Sequence, residues 1–214
     1  MKKFLKVFFV MAMALSLAAC GGEDNSAAQK KVVNRFFDDM KNMELEDMKD
    51  YTTEEAYEGV DLLITSINAG FVNLMDSETY GEEFTEDVQD VVEHLFSVVF
   101  KDMKVTKIEE EDGKATVKVK GKGIILDQIG NVTSAAELEK LLTEVMNDEA
   151  VKSKMNEIFA SEGQGAATKY LMGEISPTLF ANFNEAIDNS DYEDYSFTFV
   201  LAEEDGKWII EGFE

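Results

Sequence analysis

Hydrophobic and polar positions along this chain follow two periods, and the switch between them marks its organisation. From Gln29 to Met43 the apolar residues Val33, Phe36, Phe37 and Met40 recur at i, i+3, i+4 and i+7, which lines one face of an α-helix. Thr52 and Glu55 have capping-box spacing and open a second predicted helix with Ala56, Tyr57, Val60, Leu63, Ile64 and Ile67 inward. Gly70 interrupts it ahead of the apolar patch from Phe71 to Met75. Thr85 is placed to cap a third helix, whose stripe of Val88, Val91, Val92, Leu95, Phe96 and Val99 is the strongest helical signal in the chain.

The period then becomes two. Ala115, Val117, Val119 and Gly121 alternate with Thr116, Lys118, Lys120 and Lys122, as on a strand with one buried face. The partner strand is Met103 to Glu109, with Glu111-Asp112-Gly113 between them. A two-residue turn at Asp112-Gly113 sets Lys107 opposite Lys118, a like-charge pair. A three-residue loop with Gly113 left-handed sets Val105 against Val119 and Lys107 against Val117. The second register avoids the repulsion and is the one expected.

Helices and a hairpin then recur. Ser134 and Glu137 have capping-box spacing ahead of Leu138, Leu141, Leu142, Val145 and Met146, and Val151, Met155, Ile158 and Phe159 continue in helical period until Gly163 and Gly165. Ser176-Pro177 reads as an N-cap followed by a first-turn proline, with Leu179, Phe180, Phe183 and Ile187 inward. The last hairpin runs from Tyr195 to Ala202 and from Lys207 to Phe213, around a loop identical in letters to Glu110–Lys114. Its apolar residues divide into Phe197, Phe199 and Leu201 on one face and Val200, Trp208 and Ile210 on the other, which predicts a central or covered position. The region 29–214 reads as a single α+β domain, or as two related halves, 29–130 and 131–214.

The first residues change the picture from fold to location. Lys2, Lys3 and Lys6 precede an apolar run from Val7 to Leu17 that is shorter than the roughly 20 residues a spanning helix needs, so residues 1–19 read as a cleaved export signal. Leu17-Ala18-Ala19-Cys20 resembles the lipobox of bacterial lipoproteins. That resemblance implies cleavage before Cys20, acylation of its thiol (palmitate), and anchorage on the extracytoplasmic face of the cell membrane. Residues 20–28 then form the lipidated cysteine and a tether, whose Gly21–Ala28 part spans roughly 15 Å as a coil.

Composition narrows the partners. The formal charge is −24, and −27 once residues 1–19 with their three lysines are gone. Such an acidic surface repels phosphate backbones and anionic headgroups, so no nucleic-acid partner is expected, and the membrane is expected to be reached through the lipid rather than the protein surface. With the only cysteine consumed as anchor, no disulfide or thiol nucleophile is expected. A 45% hydrophobic content with 15 phenylalanines calls for a packed core.

Helices followed by strands, with the end strand Lys207-Trp208-Ile209-Ile210, the Gln29–Met43 helix and the lipobox, resemble the NTF2-like and cystatin-like lipoprotein domains of bacteria. The resemblance implies amphipathic helices packed on a curved antiparallel sheet containing two hairpins. The helical stretch from Ser134 to Asn189 is additional to that plan.

Chemistry-bearing residues are sparse. His94, the only histidine, lies about 120° off the apolar stripe beside Asp90 and Glu93 and reads as a surface residue. The acidic runs Glu109–Asp112, Asp188–Asp194 and Glu203–Asp205 invite a calcium reading, but the densest, Asp188–Asp194, lacks the sixth-position glycine and twelfth-position glutamate of an EF-hand loop, and all three read as solvated loops. No catalytic, metal or cofactor residue is therefore expected. The expected role is binding of a small apolar ligand or an envelope protein. The alternative is a ketosteroid-isomerase or dehydratase type of enzyme with one buried carboxylate in an apolar cavity.

Overall fold

The structure is a computed structural model that describes residues 25–68, 71, 74–129 and 135–214. Helix α1 (Ser26–Asn42), a 3-10 helix (Leu45–Asp50), α2 (Glu54–Asn68), the single turn α3 (Ser77–Tyr80) and α4 (Glu82–Val98) lead into strands β1 (Phe100–Glu111) and β2 (Lys114–Ile124). Helices α5 (Leu126–Ile129), α6 (Ala135–Met146), α7 (Glu149–Glu162) and α8 (Gln164–Asn189) separate these from β3 (Tyr192–Glu204) and β4 (Lys207–Phe213). The hairpins join through β2 and β3, from Lys114↔Ala202 to Ile124↔Tyr192, into an open antiparallel sheet ordered β1-β2-β3-β4. This is the α+β arrangement expected, with a helical segment between two hairpins.

Aromatic rings join helix to sheet. Phe36 is fully buried and meets Phe199 and Phe213 edge-on at 5.0 and 5.1 Å between centroids, while Phe37 meets Phe100, Phe197 and Phe199. Each such pair contributes about 0.5–1.5 kcal/mol beyond area burial. Together they lay α1 across the inner face of the sheet. A second group packs onto α8, Phe84 of α4 against Phe180 and Phe71, between α2 and α3, against Phe183.

Both hairpins turn differently from the expectation. The last ladder pairs are Glu111↔Lys114 and Glu204↔Lys207, and Asp112, Gly113, Asp205 and Gly206 all have positive φ, from 50° to 75°. These are two-residue turns of the I′ kind, whose twist matches that of the flanking strands, not three-residue loops. Lys107 therefore does face Lys118, and a bulge at Thr106 restores Val105↔Val119. The same one-residue difference corrects the second hairpin: Leu201 pairs with Ile210, so Ile210 and Trp208 share the core face, and Val200 on the other face is 38% exposed. The hairpin is central through its pairing with β2, yet apolar on one side only.

Helix ends shift by small amounts. α1 starts at Ser26, so the last three residues assigned to the tether are helical. The α2 cap is Thr53, whose hydroxyl accepts from the Ala56 N–H at 3.2 Å, while Thr52 bonds back to the Met48 carbonyl. Thr85 lies inside α4, its hydroxyl donating to the carbonyls of Gly81 and Glu82, and Gly81 with φ 97° precedes that helix. Ser176-Pro177 starts no helix. α8 runs through both and Gly165, and Gly163 with φ 89° is the break from α7. The Ser176 hydroxyl donates to the Asp87 carboxylate instead, tying α8 to α4. On α6 and α7 the predicted stripes are only partly covered, with Leu141 and Val151 buried but Leu142 and Phe159 exposed. Gly70 and Ser134 lie outside the described residues.

Candidate functional site

The outer face of the β1–β2 hairpin carries the densest array of like charge that the pairing register defines. Lys101 pairs with Lys122, Lys104 with Lys120 and Lys107 with Lys118, and all six are exposed. In β1 the lysines are spaced by three, which a regular strand would scatter over both faces. Two bulges, at Asp102–Met103 and at Thr106, each absorb one residue and bring all three to one side. Asp102 takes φ 56° at the first, and Gly121 lies opposite, where a Cβ would come within 2.8 Å of the Lys101 carbonyl oxygen. Glycine is required there because β1 presses onto β2.

Acids stand at the two ends of this ladder, Glu109 beside Lys107 and Asp194 of β3 opposite Lys122. Lys107 reaches Glu109 at 2.7 Å and holds that carboxyl below its ordinary pKa, and Lys101 stands 5.3 Å over the Tyr192 ring. Lys104, Lys118, Lys120 and Lys122 make no ion pair among the described residues. The adjoining residues of β3 are Asp194, Ser196 and Thr198. Sequence reading recognised Lys118, Lys120 and Lys122 as solvent-facing and missed their partners. The available signal was the like-charge register itself, set aside for its repulsion.

His94 is not a free surface residue. Its side chain, 31% exposed, contacts Asn184 Oδ1 through Nδ1 at 2.8 Å and Asp188 Oδ1 through Nε2 at 3.2 Å, bridging α4 to α8. The buried acid among the described residues is Asp39, which accepts from the Tyr51 hydroxyl at 2.8 Å and lies 3.3 Å from Arg35. Burial, and then the bond to Asp39, push the Tyr51 phenol well above its ordinary range. A carboxylate held this way is a structural tie between α1 and the segment leading to α2. Among the described residues no group of three or more His, Cys, Asp or Glu side chains could hold a metal ion. Cys20 lies outside the described residues.

Two surface depressions lie among the described residues, one mostly polar and one mostly apolar in its lining. One, about 310 Å³, lies between α1, α4 and β1 with Phe37, Phe96, Phe100 and Met103 among its walls and Asn34, Asp38 and Lys41 also lining it. The other, about 550 Å³, opens along α6 beside Leu138, Leu142 and Met146. No described helix is long and apolar enough to cross a membrane. Compared with protein-family models, curated proteins and solved structures, the chain matches none.

Proposed function

We propose that this chain is a lipid-anchored extracytoplasmic protein that acts by binding rather than catalysis, with Cys20 as its lipid attachment site. The observation that carries the reading is the order of the first residues: three lysines, an apolar run too short to span a bilayer, and Leu-Ala-Ala-Cys. In support, α1 begins at Ser26, leaving five residues between it and Cys20, so an anchored domain stays close to its membrane.

The test is Cys20→Ser in the full chain, followed by fractionation and by incorporation of labelled palmitate. Loss of label, with the protein released or left as the longer precursor, is the expected result. A variant processed and retained on membranes like the wild type would overturn the reading.

A further inference from the structure

Three like-charge pairs in succession oppose the strand pairing that carries them. Successive rungs stand roughly 7 Å apart, inside the ~8 Å screening length of physiological salt, so the repulsion is felt along the whole ladder. Solubility gives no reason for it. The chain holds 44 acids against 20 cations, and a lysine–glutamate alternation on these strands would be equally soluble and would aid pairing. Six of the 17 cations that follow Lys6 are gathered here by two backbone bulges. Such a cluster is complementary to an extended anionic surface.

The start of the domain indicates which surface. Asn25 Nδ2 donates to Glu110 Oε1 at 3.1 Å and Gln29 Nε2 to Glu110 Oε2 at 2.6 Å, which fixes the beginning of α1 at the turn end of the same hairpin. Cys20 precedes Asn25 by five residues, a reach of at most ~18 Å. β1 is an edge strand, so nothing in the sheet lies between that point and the outer face.

We propose that the outer face of β1 and β2 rests on an anionic phospholipid bilayer, its six lysines meeting headgroup phosphates while α1 and α4 lie on the far side of the sheet. This inference rests on Cys20 being the anchor. The lysines then serve as the second, electrostatic signal that orients a lipid-held domain. Acids exposed on α4, among them Glu82, Glu83, Glu86 and Asp90, reinforce the orientation by repulsion from the same surface.

The experiment uses the full chain, processed in its host, purified and reconstituted into vesicles of phosphatidylcholine or of phosphatidylcholine with phosphatidylglycerol. Lysine acetylation is followed residue by residue by mass spectrometry. Lys101, Lys104, Lys107, Lys118, Lys120 and Lys122 should react at least threefold more slowly on the anionic vesicles. Lys152 and Lys154 of α7 should react equally on both, and 0.5 M salt should abolish the difference. A lipidated chain whose ladder lysines react equally on both vesicles overturns the orientation and leaves the anchor standing. Absence of lipid on Cys20 overturns the anchor reading, and the orientation with it. Protection on neutral vesicles that disappears as protein density falls would mean the lysines meet the acids of a second copy, which also overturns the bilayer assignment. A Lys118→Gln/Lys120→Gln/Lys122→Gln variant, checked for native circular dichroism, should lose the vesicle dependence at Lys101, Lys104 and Lys107.

Discussion

At the scale of single residues, local backbone demands dominate. Gly113 and Gly206 occupy the second position of their turns with φ 75° and open space around the missing Cβ, so alanine costs only left-handed strain. Gly113→Ala and Gly206→Ala should each lower stability by about 1 kcal/mol in urea unfolding. His94→Ala should cost about 1 kcal/mol, more than a free surface residue would, because its contacts to Asn184 and Asp188 hold α4 to α8. Tyr51 supplies a pH dependence. Its folded pKa is raised, so the stability it contributes is fully present below the ordinary tyrosine value near 10 and is lost as pH rises through the folded value. Burial also raises Tyr170 and Tyr192, so titration followed at 295 nm should show Tyr51 as the last phenol to ionise, and Tyr51→Phe should remove that final step.

At the scale of elements, α8 continues where the sequence predicts an N-terminus. Pro177 leaves the Gly173 carbonyl without its intrahelical donor, yet Ile175, Leu179, Phe180, Phe183 and Ile187 bury the stripe on both sides of the break. Tertiary burial thus overrides a local stop signal. Pro177→Ala should restore the bond and raise stability by about 1 kcal/mol or more, read from thermal unfolding. The helices were legible because their apolar residues repeat at fixed spacing, and Val33, Phe36, Met40, Val88, Val91, Val92, Leu95 and Phe96 are all buried as that spacing implies. The lysine ladder was not legible. Lys101, Lys104 and Lys107 become co-facial only through two bulges, and a bulge is set by how one strand meets its neighbour, which no period along a single strand reports.

At the scale of the whole molecule, the ladder sets stability against charge. Lys104→Glu places an acid opposite Lys120 and should stabilise the domain by about 0.2–1 kcal/mol, an effect that fades in high salt. Comparing melting curves at low and high ionic strength checks both parts. The pairing of β2 with β3 has a consequence for how the chain is made. Ile124 and Tyr192 are partners, yet the whole of α5 to α8 lies between them, so β2 is synthesised well before the strand that covers its edge. During that interval a nascent chain offers an open strand with Val117 and Val119 bare on one side. Two such chains meeting edge to edge would bring lysine against lysine, and mutual repulsion guards the unfinished sheet against pairing with its neighbours until β3 arrives.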